Sequence, residues 1–69
     1  MTEAPDLVTT AGDDDPRVGL RAVRALRRLL EHLERDQVRR ARELGWSWQD
    51  IADVLGVSRQ AVHKKHGRG

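Results

Sequence analysis

From Pro16 to Leu44 the chain runs 29 residues with no second proline and one glycine, Gly19, close to the start. Arg, Leu, Ala and Glu fill the stretch, residues that lose little on entering a helix. Apolar side chains recur three and four apart at Val23, Leu26, Leu30, Leu33, Ala41 and Leu44. Gln37 stands in one slot, and Ala22 and Leu29 widen the stripe. The spacing predicts one helix over 16–44, about 43 Å long at ~1.5 Å per residue. Asp15 before Pro16 supplies an N-cap and a first-turn proline, and Gly45 supplies the stop. The stripe turns polar at Glu34-Arg35-Asp36-Gln37. A break near Asp36 is the alternative, folding the chain into a compact four-helix unit.

Two shorter helices follow. Ser47 with Asp50 three residues on is a capping box, and Ile51, Ala52, Val54 and Leu55 come next, so a helix is predicted over 48–55, ending at Gly56. Ser58 caps a third helix over 59–66, which ends at Gly67. The fold class is therefore all-α: a long N-terminal helix followed by a bihelical unit joined at Leu55-Gly56-Val57-Ser58. Residues 1–14 mix Pro5, Gly12, acids and Thr without a period. They read as a disordered acidic tail, which leaves 15–69 as the domain.

Composition excludes several classes of function. The chain has no Cys, which removes a disulfide and any zinc finger. Its two aromatics are both Trp, so the core is aliphatic and small. A domain of this length usually needs a staple, and a partner chain is the one left open. No apolar run approaches the length of a membrane span, and the opening MTEAPDLVTT lacks the basic and apolar regions of a signal peptide. A cytoplasmic protein with no membrane role is expected. Catalysis has no candidate: there is no Ser/His/Asp constellation, no Cys and no glycine loop for a nucleotide. The expectation is a non-enzyme without cofactor. His63 and His66 stand three apart, but no nearby ligand completes a metal site. Trp48 is expected to pack on the long helix near Leu44, with Trp46 at the rim.

Charge is unevenly placed. Residues 1–15 hold five acids and no Lys or Arg, net −5, whereas residues 16–69 hold all 13 Lys and Arg with six acids, net +7. From Gly56 onward come Arg59, Lys64, Lys65 and Arg68 with no acid. A basic folded region suggests a polyanionic partner, nucleic acid first.

The run WQDIADVLGVSRQAVHKK, Trp48 to Lys65, resembles the helix-turn-helix of bacterial transcription regulators, close to the form in sigma factor region 4. Together with the Arg/Ala/Leu-rich helix before it, the region is similar to small helix-turn-helix proteins of actinobacteria. The resemblance implies a scaffold. Ala52 is small where the next helix crosses, Gly56 makes the turn, and Ile51, Leu55, Val57 and Val62 are apolar contacts. One departure is clear: the pattern has an apolar residue about a turn after Val62, where this chain has Lys65 and His66.

The resemblance also implies sequence-specific binding of double-stranded DNA by a transcription regulator, nucleoid-associated when bound, with the helix after Ser58 in the major groove. Arg59, Gln60, His63 and Lys64 then face base edges. Ser47, Gln49, Ser58, Lys65 and Arg68 fall to the phosphates, although Ser47 is first of all a cap.

Two short helices cover only about half of the long one. Val23, Leu26, Leu29, Leu30 and Leu33 would stay open, and such a stripe predicts a partner. A second copy gives a symmetric homodimer with two reading helices. The alternative function is an adaptor that binds RNA polymerase, a sigma factor or another regulator through the long helix, with Arg17, Arg21, Arg24 and Arg28 on its neighbouring face.

Overall fold

The computed structural model describes residues 4–67, and side chains from Leu7 to Gly67. Among these residues the elements are all helices, in the order α1 (Ala4–Ala11), α2 (Pro16–Glu43), α3 (Trp48–Leu55) and α4 (Arg59–His66). The all-α class holds, and the three helices expected from the sequence lie within a residue of their predicted ends. α2 is continuous through Asp36, so the broken-helix alternative is set aside. The chain divides into two compact units, 1–33 and 34–69, each described by itself.

In the first unit the N-terminal stretch differs from expectation. Residues 1–14 read as irregular, yet Ala4–Ala11 form α1. Two turns are too few for a period to show in sequence, and a proline in the first turn is compatible with a helix. α1 closes with Gly12 and Asp13 amides donating to the Thr9 and Thr10 carbonyls, both at 3.0 Å. The acids that follow serve the backbone. Asp13 Oδ1 accepts from the Asp15 amide (2.8 Å), and Asp15 Oδ1 accepts from the Arg17 amide (3.0 Å), which is the expected N-cap of α2.

Gly19, a residue of low helix propensity, has a packing role. It is buried, and a Cβ there would stand 3.3 Å from the Ala11 carbonyl oxygen and 3.4 Å from that of Asp13. Ala22 is buried one turn on, and Leu7, Val18, Val23 and Leu26 are half-buried.

The second unit holds the end of α2 with α3 and α4. Val38, Ile51, Ala52 and Val62 are its core, with Ala41 and Trp48 packed against them. Val38 corrects the sequence reading, which placed Gln37 and Leu44 in the stripe. Both are exposed, Leu44 at 67%. The polar stretch 34–37 resets the register, so the inward face runs Glu34, Val38, Ala41. Trp48 packs against this core, as Ala41 does.

Two further corrections concern the turn. Leu55 and Val57 were expected between the helices, but they flank Gly56 at the rim and are 41% and 47% exposed. The closed face of these two-turn helices is the one that carries Ile51, Ala52 and Val62, where α3 and α4 pack on each other.

Candidate nucleic-acid interface

The backbone of this unit is set by caps and two left-handed glycines. α2 ends at Gly45 (φ 91°), where Trp46 donates to the Ala41 carbonyl (3.0 Å) and Gly45 to that of Arg42 (3.0 Å), a Schellman closure. Ser47 and Asp50 form the expected capping box: the Asp50 amide donates to Ser47 Oγ and the Ser47 amide to Asp50 Oδ2, both at 3.0 Å. The Ser47 amide and then its hydroxyl hold the Asp50 carboxyl below its ordinary value. At Gly56 (φ 75°) the chain reverses, and the Ala52 carbonyl accepts from both Gly56 (2.8 Å) and Val57 (3.1 Å). Ser58 caps α4 by accepting from the Ala61 amide at 3.0 Å.

These devices aim α4. Val62 turns inward, while Arg59, Gln60, His63 and Lys64 are all exposed. Among the described residues, none hydrogen-bonds or ion-pairs with the side chains of Arg59, Gln60 or Lys64. His63 differs. Its ring stands edge-on to the Trp48 indole, with centroids 5.4 Å apart at 81°. Above the same indole lies the Arg42 guanidinium, 4.4 Å from the centroid, which also donates to the Trp46 carbonyl at 2.8 Å. One indole thus links α2, α3 and α4. Trp46 is 38% exposed at the rim, where it was expected.

The candidate phosphate contacts are more committed. The Ser47 and Ser58 hydroxyls accept from amides, and Gln49 donates to Asp53 at 2.8 Å. Each still has a hydrogen to offer. Lys65 reaches Glu34 (3.3 Å) on α2, and Arg68 lies outside the described residues.

His66 occupies the position where an apolar residue was expected. Its side chain is 8% exposed, and its Nε2–H donates to Glu34 Oε2 at 2.7 Å. The donor assignment follows from the partner, since a carboxylate only accepts. This hydrogen bond, with the help of Lys65, holds the Glu34 carboxyl below its ordinary value of 4.5 against the opposing effect of burial. A polar latch therefore closes the end of α4 onto α2 where an apolar contact would normally do so. The signal lay in two oddities, an acid interrupting the stripe at Glu34 and a histidine in an apolar slot.

His63 and His66 turn to different partners, and no three metal-ligating side chains gather among the described residues. No helix among them is long and apolar enough to cross a membrane.

A capped two-turn helix, a left-handed glycine and a second capped helix on a shared core define a helix-turn-helix DNA-binding domain. The sequence profile of the Homeodomain-like domain matches residues 20–66, more than half of the chain, and the protein belongs to that family. Its ligand class is double-stranded DNA. α1 and the turn into α2 lie outside the matched segment. Comparison with curated proteins and with solved structures finds no match.

Proposed function

We propose that this protein is a sequence-specific transcription regulator of the bacterial type, working at the nucleoid, that reads the major groove with α4. The observation that carries the reading is the outer face of α4. Arg59, Gln60 and Lys64 are exposed without intramolecular polar partners among the described residues, on a helix that has no acid. Charged and amide side chains left free at the start of a rigid, capped helix suit base edges: Arg for guanine, Gln for adenine. His63, held on edge by Trp48, adds a fixed contact, and Lys64 completes the base-facing set. Ser47, Gln49, Ser58, Lys65 and Arg68 serve the phosphates. The resemblance to sigma factor region 4 supports the regulatory and bacterial assignment.

The protein acts as a homodimer in this reading. Leu29, Leu30 and Leu33 are 43%, 63% and 50% exposed on adjacent turns of α2, while Val23 and Leu26 are half-covered within one chain. The three leucines therefore form the dimer face. A second copy supplies the staple that a small Cys-free core lacks, and a two-fold axis presents two α4 helices to two half-sites.

Selection from a random duplex pool tests the reading. Wild type is expected to enrich one site over bulk DNA. Arg59→Ala with Gln60→Ala should lower that discrimination by about 1–3 kcal/mol per lost base contact while non-specific binding persists. An unchanged preference in the double variant would count against reading by α4.

A further inference from the structure

The Arg42–Trp48–His63 stack borders a groove that the reading set on α4 does not use. It runs between the second half of α2, the start of α3 and the end of α4, and its lining includes Arg35, Arg39, Arg42, Trp48 and Lys65. The three arginines recur four and then three residues apart, so they share one face of α2. End to end their backbones span about 10 Å at ~1.5 Å per residue.

Two acids beside the groove are already engaged. Glu34 receives His66 and Lys65, and Asp36 pairs with Arg39 at 3.2 Å. Arg35 and Arg42 have no carboxylate partner among the described residues. The groove thus presents Arg35 and Arg42 guanidinium groups with no carboxylate in contact, in a fork geometry that suits phosphate oxygens. A DNA strand carries one phosphate per ~3.4 Å of helix axis but winds around that axis, so successive phosphates lie further apart than the rise and a 10 Å row reaches about two of them. The row also joins the reading face without a gap, because Arg42 on α2 and His63 on α4 rest on the same indole.

We propose that Arg35, Arg39 and Arg42 form a phosphate-contact row that grips the backbone of the same duplex that α4 reads. The proposal rests on the DNA-reading assignment and extends it to α2. These arginines carry no sequence information. They set the affinity and the salt dependence, and they fix the angle at which α4 enters the groove.

The test uses the full chain and two variants. Arg35→Gln with Arg39→Gln removes two exposed charges and leaves Arg42, which also holds the Trp46 carbonyl. Asp36→Asn removes the carboxylate that occupies Arg39. Binding is measured across salt concentrations on random duplex and on the duplex that wild type selects, with helicity and Tm followed in parallel. The arginine variant should flatten the slope of log affinity against log salt by about 1–2 on both duplexes, leaving their affinity ratio intact. Asp36→Asn should bind several-fold tighter on both. Wild-type slope and affinity in the arginine variant overturn the row, as does a loss confined to the selected duplex. If the arginine variant unfolds, Asp36→Asn decides alone, and binding no tighter than wild type overturns the row. Wild type that fails to bind random duplex at low salt overturns the DNA reading itself. Wild type weakened by Arg59→Ala and Gln60→Ala but not by the arginine variant overturns only the row.

Discussion

Val38 and Leu30 sit about two turns apart on one helix, yet Val38 is 5% exposed and Leu30 is 63% exposed. The difference follows what each unit has to offer. In 34–69, α3 and α4 are tied by caps, a left-handed glycine and the Glu34–His66 latch, and together they close over Val38. In 1–33, the only other helix among the described residues is α1, and its unit buries two small residues, Gly19 and Ala22. Apolar pattern alone makes a side chain available for burial. Whether it is buried depends on a second element with the length and the caps to cover it.

The widest way to break this comparison is at the cores. Ile51→Ala removes the largest aliphatic side chain buried against Val38 and Val62, and is expected to cost about 2–5 kcal/mol in urea unfolding. In a domain of this size that approaches the whole stability. Leu30→Glu, on the open stripe, leaves the buried core untouched, so its unfolding should lose only what the second copy supplies and no longer depend on protein concentration. Its effect should appear in sedimentation, where the mass falls from two chains to one. Two-chain mass in Leu30→Glu would remove the dimer face from the leucine stripe.

A middle-sized effect is expected at the turn. Gly56 has φ 75° and open space where a Cβ would go, so Gly56→Ala is strained by the backbone alone, about 1–2 kcal/mol. A thermal melt should shift down by ~4–8 °C per kcal/mol. At Gly19 the same substitution meets carbonyl oxygens at an ordinary helical φ, so the two glycines separate strain from crowding. An unshifted melt for Gly56→Ala would show that the turn relaxes.

The smallest expected effect is the acid limb. The folded Glu34 carboxyl lies below its ordinary 4.5, so its stabilisation is present above that value. It is lost as pH falls through the lowered folded value. Urea midpoints followed downward from neutral pH should decline through this window in wild type and less in Glu34→Gln. Asp50, also held low, keeps its own share in both. Identical acid limbs would show that the latch contributes nothing through charge.

Much of the second unit is legible in the sequence. Ser47, Asp50, Gly56 and Ser58 act locally, each on a backbone group within a few residues, so their roles could be read from spacing alone. The outward set Arg59, Gln60, His63 and Lys64 followed from where those caps start α4. What escaped was non-local. His66 meets Glu34 across 32 residues. The Arg42–Trp48–His63 stack joins three helices, and Gly19 is explained only by the carbonyls that approach it. Val38 escaped because the stripe changes register at 34–37, and nothing local marks which side of the break will be covered.

The sequence by itself determined the helices α2, α3 and α4, their ends, the left-handed turn and the basic character of the last one. Helix propensity, capping and charge are properties of neighbouring residues. Tertiary structure decided which apolar residues became core, that a histidine–carboxylate pair closes the end of α4, and that α2 brings Arg42 onto the indole that His63 of α4 also meets. Those outcomes depend on which surfaces meet, and surfaces meet only once the chain has folded back on itself.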